Sequence, residues 1–194
     1  MEIQKILNDM QAHGMTIPSN KVQIKIEGAR DILKNHLDKF INLEGKKAIW
    51  LDKYDLVADW LENNQGRGLF LYGTCGVGKT VLARYVIPSI LLTHLGKVVH
   101  CYDAQQMNSQ IDIVLSKKII CIDDVGTEEI LVSFGNKRLT FLEVADATEK
   151  QGKLLIATSN LNEKQLIDKY GERTMERIIS TTKRVLFTDK SLRR

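Results

Sequence analysis

An α/β fold built on a parallel sheet, with helices covering both of its faces, is predicted by three observations. Short apolar runs at 68–72, 98–102, 118–123 and 154–158 have the length of strands, and stretches of helical periodicity at 78–95, 139–149 and 163–170 lie among them. The runs Leu69-Phe70-Leu71 and Ile119-Ile120-Cys121-Ile122 contain no polar residue, as expected of strands buried on both faces. The first run leads directly into a glycine-rich turn and then a helix, the alternation that layered α/β domains use.

With 194 residues, 43% apolar and 27% charged, the chain is long enough for one well-buried core and too short for two large domains. Residues 1–45 are expected to form a short helical appendage and 46–194 the core domain. In the appendage Ile3, Ile6, Leu7 and Met10 have helical spacing, and Gly14 and Pro18 interrupt it. Ser19 or Asn20 can then cap a second helix running to about residue 43, where Gly45 ends it. Ile26, Ala29, Leu33, Leu37 and Phe40 make its apolar stripe, which fits either of two uses: packing on the core domain, or docking a partner protein. The core domain reads as helix 52–63, strand 68–72, helix 78–95, strands 98–102 and 118–123, helix 139–149, strand 154–158, helices 163–170 and 172–179, and a closing strand 184–187.

Composition narrows the function classes. A net charge of +4 permits contact with nucleic acid without arguing for it. Cys75, Cys101 and Cys121 occur singly, and His13, His36, His94 and His100 are scattered, which argues against a disulfide framework and a metal module. No apolar run approaches the ~18 residues of a membrane span, and charges stand where a signal peptide has its apolar segment. A cytoplasmic protein with no membrane partner is expected.

The densest chemical signal is Gly73-Thr74-Cys75-Gly76-Val77-Gly78-Lys79-Thr80, which is glycine, four residues, glycine, lysine and threonine between a predicted strand and a predicted helix. Small residues let successive backbone N–H groups turn inward around a phosphate, Lys79 reaches the β/γ-phosphates, and the Thr80 hydroxyl coordinates magnesium. The N-terminal end of the helix, including Val81, adds its positive dipole. A glycine-rich turn without a ligand is the alternative, but the strand before and helix after are the context that a nucleotide site requires.

Further candidates follow the phosphate loop. The apolar strand Ile119-Ile120-Cys121-Ile122 ends in Asp123-Asp124, placing two carboxylates at the sheet edge where open α/β sheets bind ligands. Asp123 is expected to hold magnesium. Asp124 has two readings, polarising the attacking water or serving as a supporting or capping carboxylate. Strand 154–158 finishes in Ser159-Asn160, and an amide there can bond both a γ-phosphate oxygen and the lytic water; a simple turn is the other use of such a sequence. Arg173 and Arg177 lie four apart on one face of a short helix. They can reach a phosphate held by a neighbouring subunit, or pair locally with Glu172 or Glu176.

Together these residues resemble the AAA+ family, in particular its DnaC/IstB-like branch of replicative helicase loaders and transposition helper ATPases. The resemblance covers about residues 50–194 and rests on Gly68-Leu69 before the loop, Asp123-Asp124-Val125-Gly126-Thr127-Glu128, Thr158-Ser159-Asn160-Leu161, and Gly171-Glu172-Arg173 with Arg177. It implies a P-loop NTPase with a five-stranded parallel sheet, ATP and Mg2+ as ligands, Arg177 as the arginine finger with Arg173 in support, and self-association through ATP-bridged interfaces. It also implies a replicative helicase and single-stranded DNA as partners. Only 34 residues follow Asn160, so no C-terminal helical lid is expected, and Arg193 is a weak substitute for a second sensor arginine. The closing Lys190-Ser191-Leu192-Arg193 is similar to the short basic tail of that branch. Such ATPases often carry glutamate where this chain has the shorter Asp124, which implies slow basal hydrolysis that assembly accelerates. The stretch 103–117 is short beside the helical insertion of loaders that grips DNA. A transposition helper that coats DNA, and a nucleotide-gated adaptor with little turnover, are the other functions the residues allow.

Overall fold

A computed structural model describes residues 2–129, 131–133 and 136–192, the backbone alone over 131–133 and 136–138. Arg193, and with it the end of the basic tail, lies outside the described residues. After α1 (Ile3–Ala12), α2 (Ala29–Asn42) and α3 (Lys53–Glu62), the chain enters the sheet at β1 (Gly68–Gly73). The helix that follows begins as α4 (Lys79–Val81), passes through a π-helical stretch, Leu82–Val86, and continues as α5 (Ile87–Leu95). Then come β2 (His100–Asp103), α6 (Ala104–Ser109), α7 (Ile111–Ser116), β3 (Ile119–Asp123), the antiparallel pair β4 (Leu131–Ser133) and β5 (Asn136–Arg138), and α8 (Thr140–Gln151). The remaining elements are β6 (Leu154–Ser159), α9 (Glu163–Tyr170), α10 (Glu172–Thr181) and β7 (Thr182–Phe187).

The main sheet has five parallel strands in the order β2-β3-β6-β1-β7. Alternate residues along each strand feed one of two cores. Leu69, Leu71, Cys121, Ile156, Val185 and Phe187 pack with α2, α3 and the α4–α5 helix. Phe70, Tyr72, Ile120, Ile122, Leu155 and Ala157 pack with α6 to α10. Each fully buried aliphatic or aromatic side chain contributes roughly 1.5–3 kcal/mol, so this two-sided burial is what fixes strand register.

Pro88 explains the π-helical stretch. It has no N–H to give the Arg84 carbonyl four residues earlier, and its ring crowds that carbonyl, so the helix widens by one residue just before it. The Cys101 thiol takes over as donor to Arg84 O at 3.8 Å, and the Cys121 thiol donates to Ala83 O at 3.3 Å.

Two local expectations are corrected. Helix α2 starts at Ala29, not near residue 20, and residues 22–27 carry no helix. Gly28 has φ 65, a left-handed break that stops a helix from running back through it. Upstream, Ile24 N donates to Asn64 Oδ1 at 2.8 Å and Ile26 N to Leu61 O at 3.1 Å, so this segment is tied down beside α3. The stripe of Ala29, Leu33 and Leu37 is buried in the first core, whereas α1 has no buried residue. The antiparallel pairing of β4 with β5, over 131–133 and 136–138, was not expected from the sequence, which assigns no element there.

Candidate nucleotide-binding site

The loop between β1 and α4 takes its shape from glycines in the left-handed region. Gly73 has φ 107 and Gly78 φ 83; a Cβ on the first would stand 2.2 Å from Phe187 O and on the second 2.7 Å from the Tyr54 hydroxyl. The loop is braced from outside. Thr74 N donates to Phe187 O at 2.9 Å, Leu192 N to Gly76 O at 2.8 Å, and the Tyr54 hydroxyl to Val77 O at 2.8 Å. Burial, with Asp189 nearby, pushes the Tyr54 phenol up to about 12, so it remains a donor. Among the described residues, the backbone N–H groups of Cys75, Gly76, Val77 and Gly78 have no acceptor. Unspent donors at the start of a helix form a cradle for an anion, so this loop fits a phosphate group.

Lys79 is only 5% exposed, and its Nζ donates to Gly73 O at 3.0 Å, Thr74 O at 2.6 Å and Asn160 Oδ1 at 2.9 Å. Asn160 in turn donates Nδ2 to Asp124 Oδ1 at 2.7 Å. A cation from the loop and a carboxylate from the end of β3 thus share one amide from the end of β6.

Beside them, Thr80 donates its hydroxyl to Asp123 Oδ1 at 3.1 Å, and Thr158 donates to the same oxygen at 2.6 Å. Among the described residues, no group of three or more His, Cys, Asp or Glu could hold a metal ion by itself. One carboxylate with one hydroxyl is the donor set of an ion that also needs oxygens from a bound phosphate, so Thr80 and Asp123 fit magnesium.

Asp124 has φ 59, which Asp and Asn tolerate far better than glutamate, so the shorter carboxylate suits this backbone. Its N–H donates to Thr158 Oγ1 at 2.9 Å, and Thr127 N and Oγ1 donate to its carbonyl at 3.2 and 2.9 Å. Burial, then the neighbouring Asp123 charge, raises the Asp124 carboxyl above its ordinary value, while the Asn160 bond opposes the rise.

Two more residues belong to this corner and escaped the sequence reading. Asp103, last residue of β2, lies in register with Asp123, and Arg84 pairs with it while standing 3.8 Å from Asp123 Oδ2. Burial disfavours the Arg84 charge, but Asp103 and then Asp123 outweigh it and raise its pKa. The available signals were an arginine five residues after Lys79 and an aspartate ending an apolar run.

Arg173 and Arg177 are not brought to this cluster. Arg177, its side chain 13% exposed, is held on α8 by Asp146 and by Glu149 at 3.1 Å, neither of them the helical neighbour considered from sequence. Arg173 is exposed, with no ion-pair partner among the described residues.

No family model and no curated protein matches the chain. Among solved structures it is similar to the crystal structure of the DnaC helicase loader, at 18% identity over 80% of this chain and 99% of that one, with a TM-score of 0.61. It is also similar to the crystal structure of DnaI, at 20% identity over 66% and 73% of the two chains with a TM-score of 0.53. A third likeness is to AMPPCP-bound DnaA from Aquifex aeolicus, at 18% identity over 78% and 51%, with a TM-score of 0.54. The chain shares with these structures its fold, a five-stranded parallel sheet with helices on both faces.

Proposed function

We propose that this chain is a magnesium-dependent ATPase that assembles in the ATP state and loads a replicative helicase on single-stranded DNA. The observation that carries the reading is the Lys79–Asn160–Asp124 chain of hydrogen bonds, which connects the phosphate loop to the carboxylate pair. Residues 73–81 would hold the phosphates, and Thr80 with Asp123 the magnesium. When bound, magnesium-ATP supplies the transferable phosphoryl group and the ion that offsets its charge.

The protein's own groups perform the rest. Asp124 Oδ1 is oriented by Asn160, leaving Oδ2 to accept a proton from the attacking water, and its raised pKa suits a base. Lys79 sits between loop carbonyls that aim its ammonium. Arg177, supported by Arg173, acts on the nucleotide of a neighbouring copy, and it does so by exchanging Asp146 and Glu149 for phosphate oxygens. Basal hydrolysis is slow for that reason. Of the appendage expected over residues 1–45, α2 is packed into the first core, so docking falls to α1, with its unburied apolar side presented to the helicase. Among the described residues no helix is long and apolar enough to cross a membrane.

Native mass spectrometry with the replicative helicase of the same host, in ATP and then in ADP, tests this reading. A complex carrying several copies in ATP that dissociates in ADP is expected; no complex in either state would sink the helicase-loading role.

A further inference from the structure

Glu128 is a carboxylate only 5% exposed, four residues after Asp124. Burying such a charge costs several kcal/mol unless hydrogen bonds replace its water. Both oxygens are matched: Oε2 accepts from Gly126 N at 2.8 Å, and Oε1 accepts a short bond from the Tyr170 hydroxyl. Burial and then the Glu128 charge push the Tyr170 phenol far up, so it stays protonated. The residue before it, Lys169, donates Nζ to Gly126 O at 2.6 Å and Glu128 O at 2.8 Å. Two consecutive side chains at the end of α9 therefore grip the backbone and the carboxylate of one loop, whose other end is Asp124 in its left-handed conformation.

The same two residues lead into the arginine helix. Gly171 follows with φ 82 and open space where a Cβ would stand, so the glycine serves the turn and not a close approach. Thr174, in the first turn of α10, donates back to Tyr170 O at 2.7 Å. The junction that clamps the Asp124 loop is thus also the base from which Arg173 and Arg177 project.

We infer that Glu128, Lys169 and Tyr170 are positioning residues that couple the Asp124 loop to the setting of α10, so that nucleotide state in one subunit is transmitted to its arginine helix. This rests on the proposal that Asp124 works on nucleotide. Nothing in it requires these three side chains to touch the nucleotide.

Hydrogen exchange of the full chain, with and without magnesium and a non-hydrolysable ATP analogue, tests the coupling. In the wild type the analogue is expected to slow exchange at 73–81, 124–129 and 172–181. In Tyr170→Phe and in Lys169→Met the slowing at 73–81 remains, while that at 172–181 is lost by about five-fold or more. Single-turnover hydrolysis falls about ten-fold in both variants with analogue affinity unchanged, the signature of a misplaced base and not of a lost binding site. If both variants keep the response at 172–181, the coupling is wrong and the nucleotide site stands. If the wild type shows no slowing at 73–81, the nucleotide site falls and the coupling with it.

Discussion

At the ends of β1, β3 and β6 every polar side chain of the cluster is bonded to another member of it: Lys79 to Asn160, Asn160 to Asp124, Thr80 and Thr158 to Asp123. On α10 the wiring runs the other way, with Arg177 committed to Asp146 and Glu149 of a neighbouring helix. Under the proposed function the first region has its reactive groups already arranged, and such preorganisation lets fixed charges act without reorganisation at the moment of reaction. Under the same proposal the second region keeps Arg177 paired until assembly. A guanidinium paired with two carboxylates gains by leaving them only when a more highly charged partner, such as a phosphate of an adjoining subunit, is within reach. In the proposed mechanism the difference separates what one subunit would do alone from what an assembly would add.

The comparison breaks at its first member if Lys79→Ala still binds nucleotide. We expect binding to weaken by more than about 100-fold, measured with a fluorescent ATP analogue, because the substitution removes the one buried cation of the loop. Arg177→Ala addresses the second member. Isolated subunits should bind ATP as the wild type does, while turnover stimulated by assembly falls by about 10³-fold, in the range for a charge-stabilising arginine. Thermal unfolding sharpens the reading, since losing both ion pairs of the largely buried Arg177 should cost the isolated chain about 1–3 kcal/mol. Full stimulated turnover in Arg177→Ala would show the arginine to be a brace for α8 and nothing more. Asp124→Asn is next in size: asparagine tolerates the same left-handed backbone, so affinity should hold while single-turnover hydrolysis drops about 100-fold.

Much of the first region was legible because its signals are local. The apolar runs of β1, β3 and β6 and the glycine spacing of the loop are readable from neighbouring residues, and the sheet then brings Asn160 to Lys79 across 81 positions. What stayed hidden depends on register and packing. Asp103 meets Asp123 because β2 and β3 pair in parallel, and Arg84 meets both through a helix widened by Pro88. The partners of Arg177 lie on α8, 28 positions away in the case of Glu149, where helical spacing on α10 itself offered only Glu172 and Glu176. Residues 22–27 were misread because Ile26 was placed on a helical stripe that Gly28 interrupts, while the alternation of Val22, Ile24 and Ile26 went unused.

The smallest expected effect lies outside both regions and fixes the baseline against which their pH profiles are read. His36 on α2 bonds Ser89 of α5 through Nδ1 at 2.8 Å, and its pKa is lowered by burial, then by Lys39 and His94. A depressed histidine is neutral in the folded chain at pH values where the unfolded chain has already taken up a proton. Its contribution to stability is therefore complete above the ordinary histidine value and is lost as pH falls through the lower folded value. Because the ring is half-buried and partly screened, the melting midpoint should drop by only about 1–2 °C across that interval. His36→Gln should flatten this step without altering ATP affinity, because Ser89 lies roughly 15 Å along the helix from Lys79. A step that persists in the variant would locate the titrating group elsewhere, and any pH dependence of turnover that survives the substitution belongs to the nucleotide corner itself.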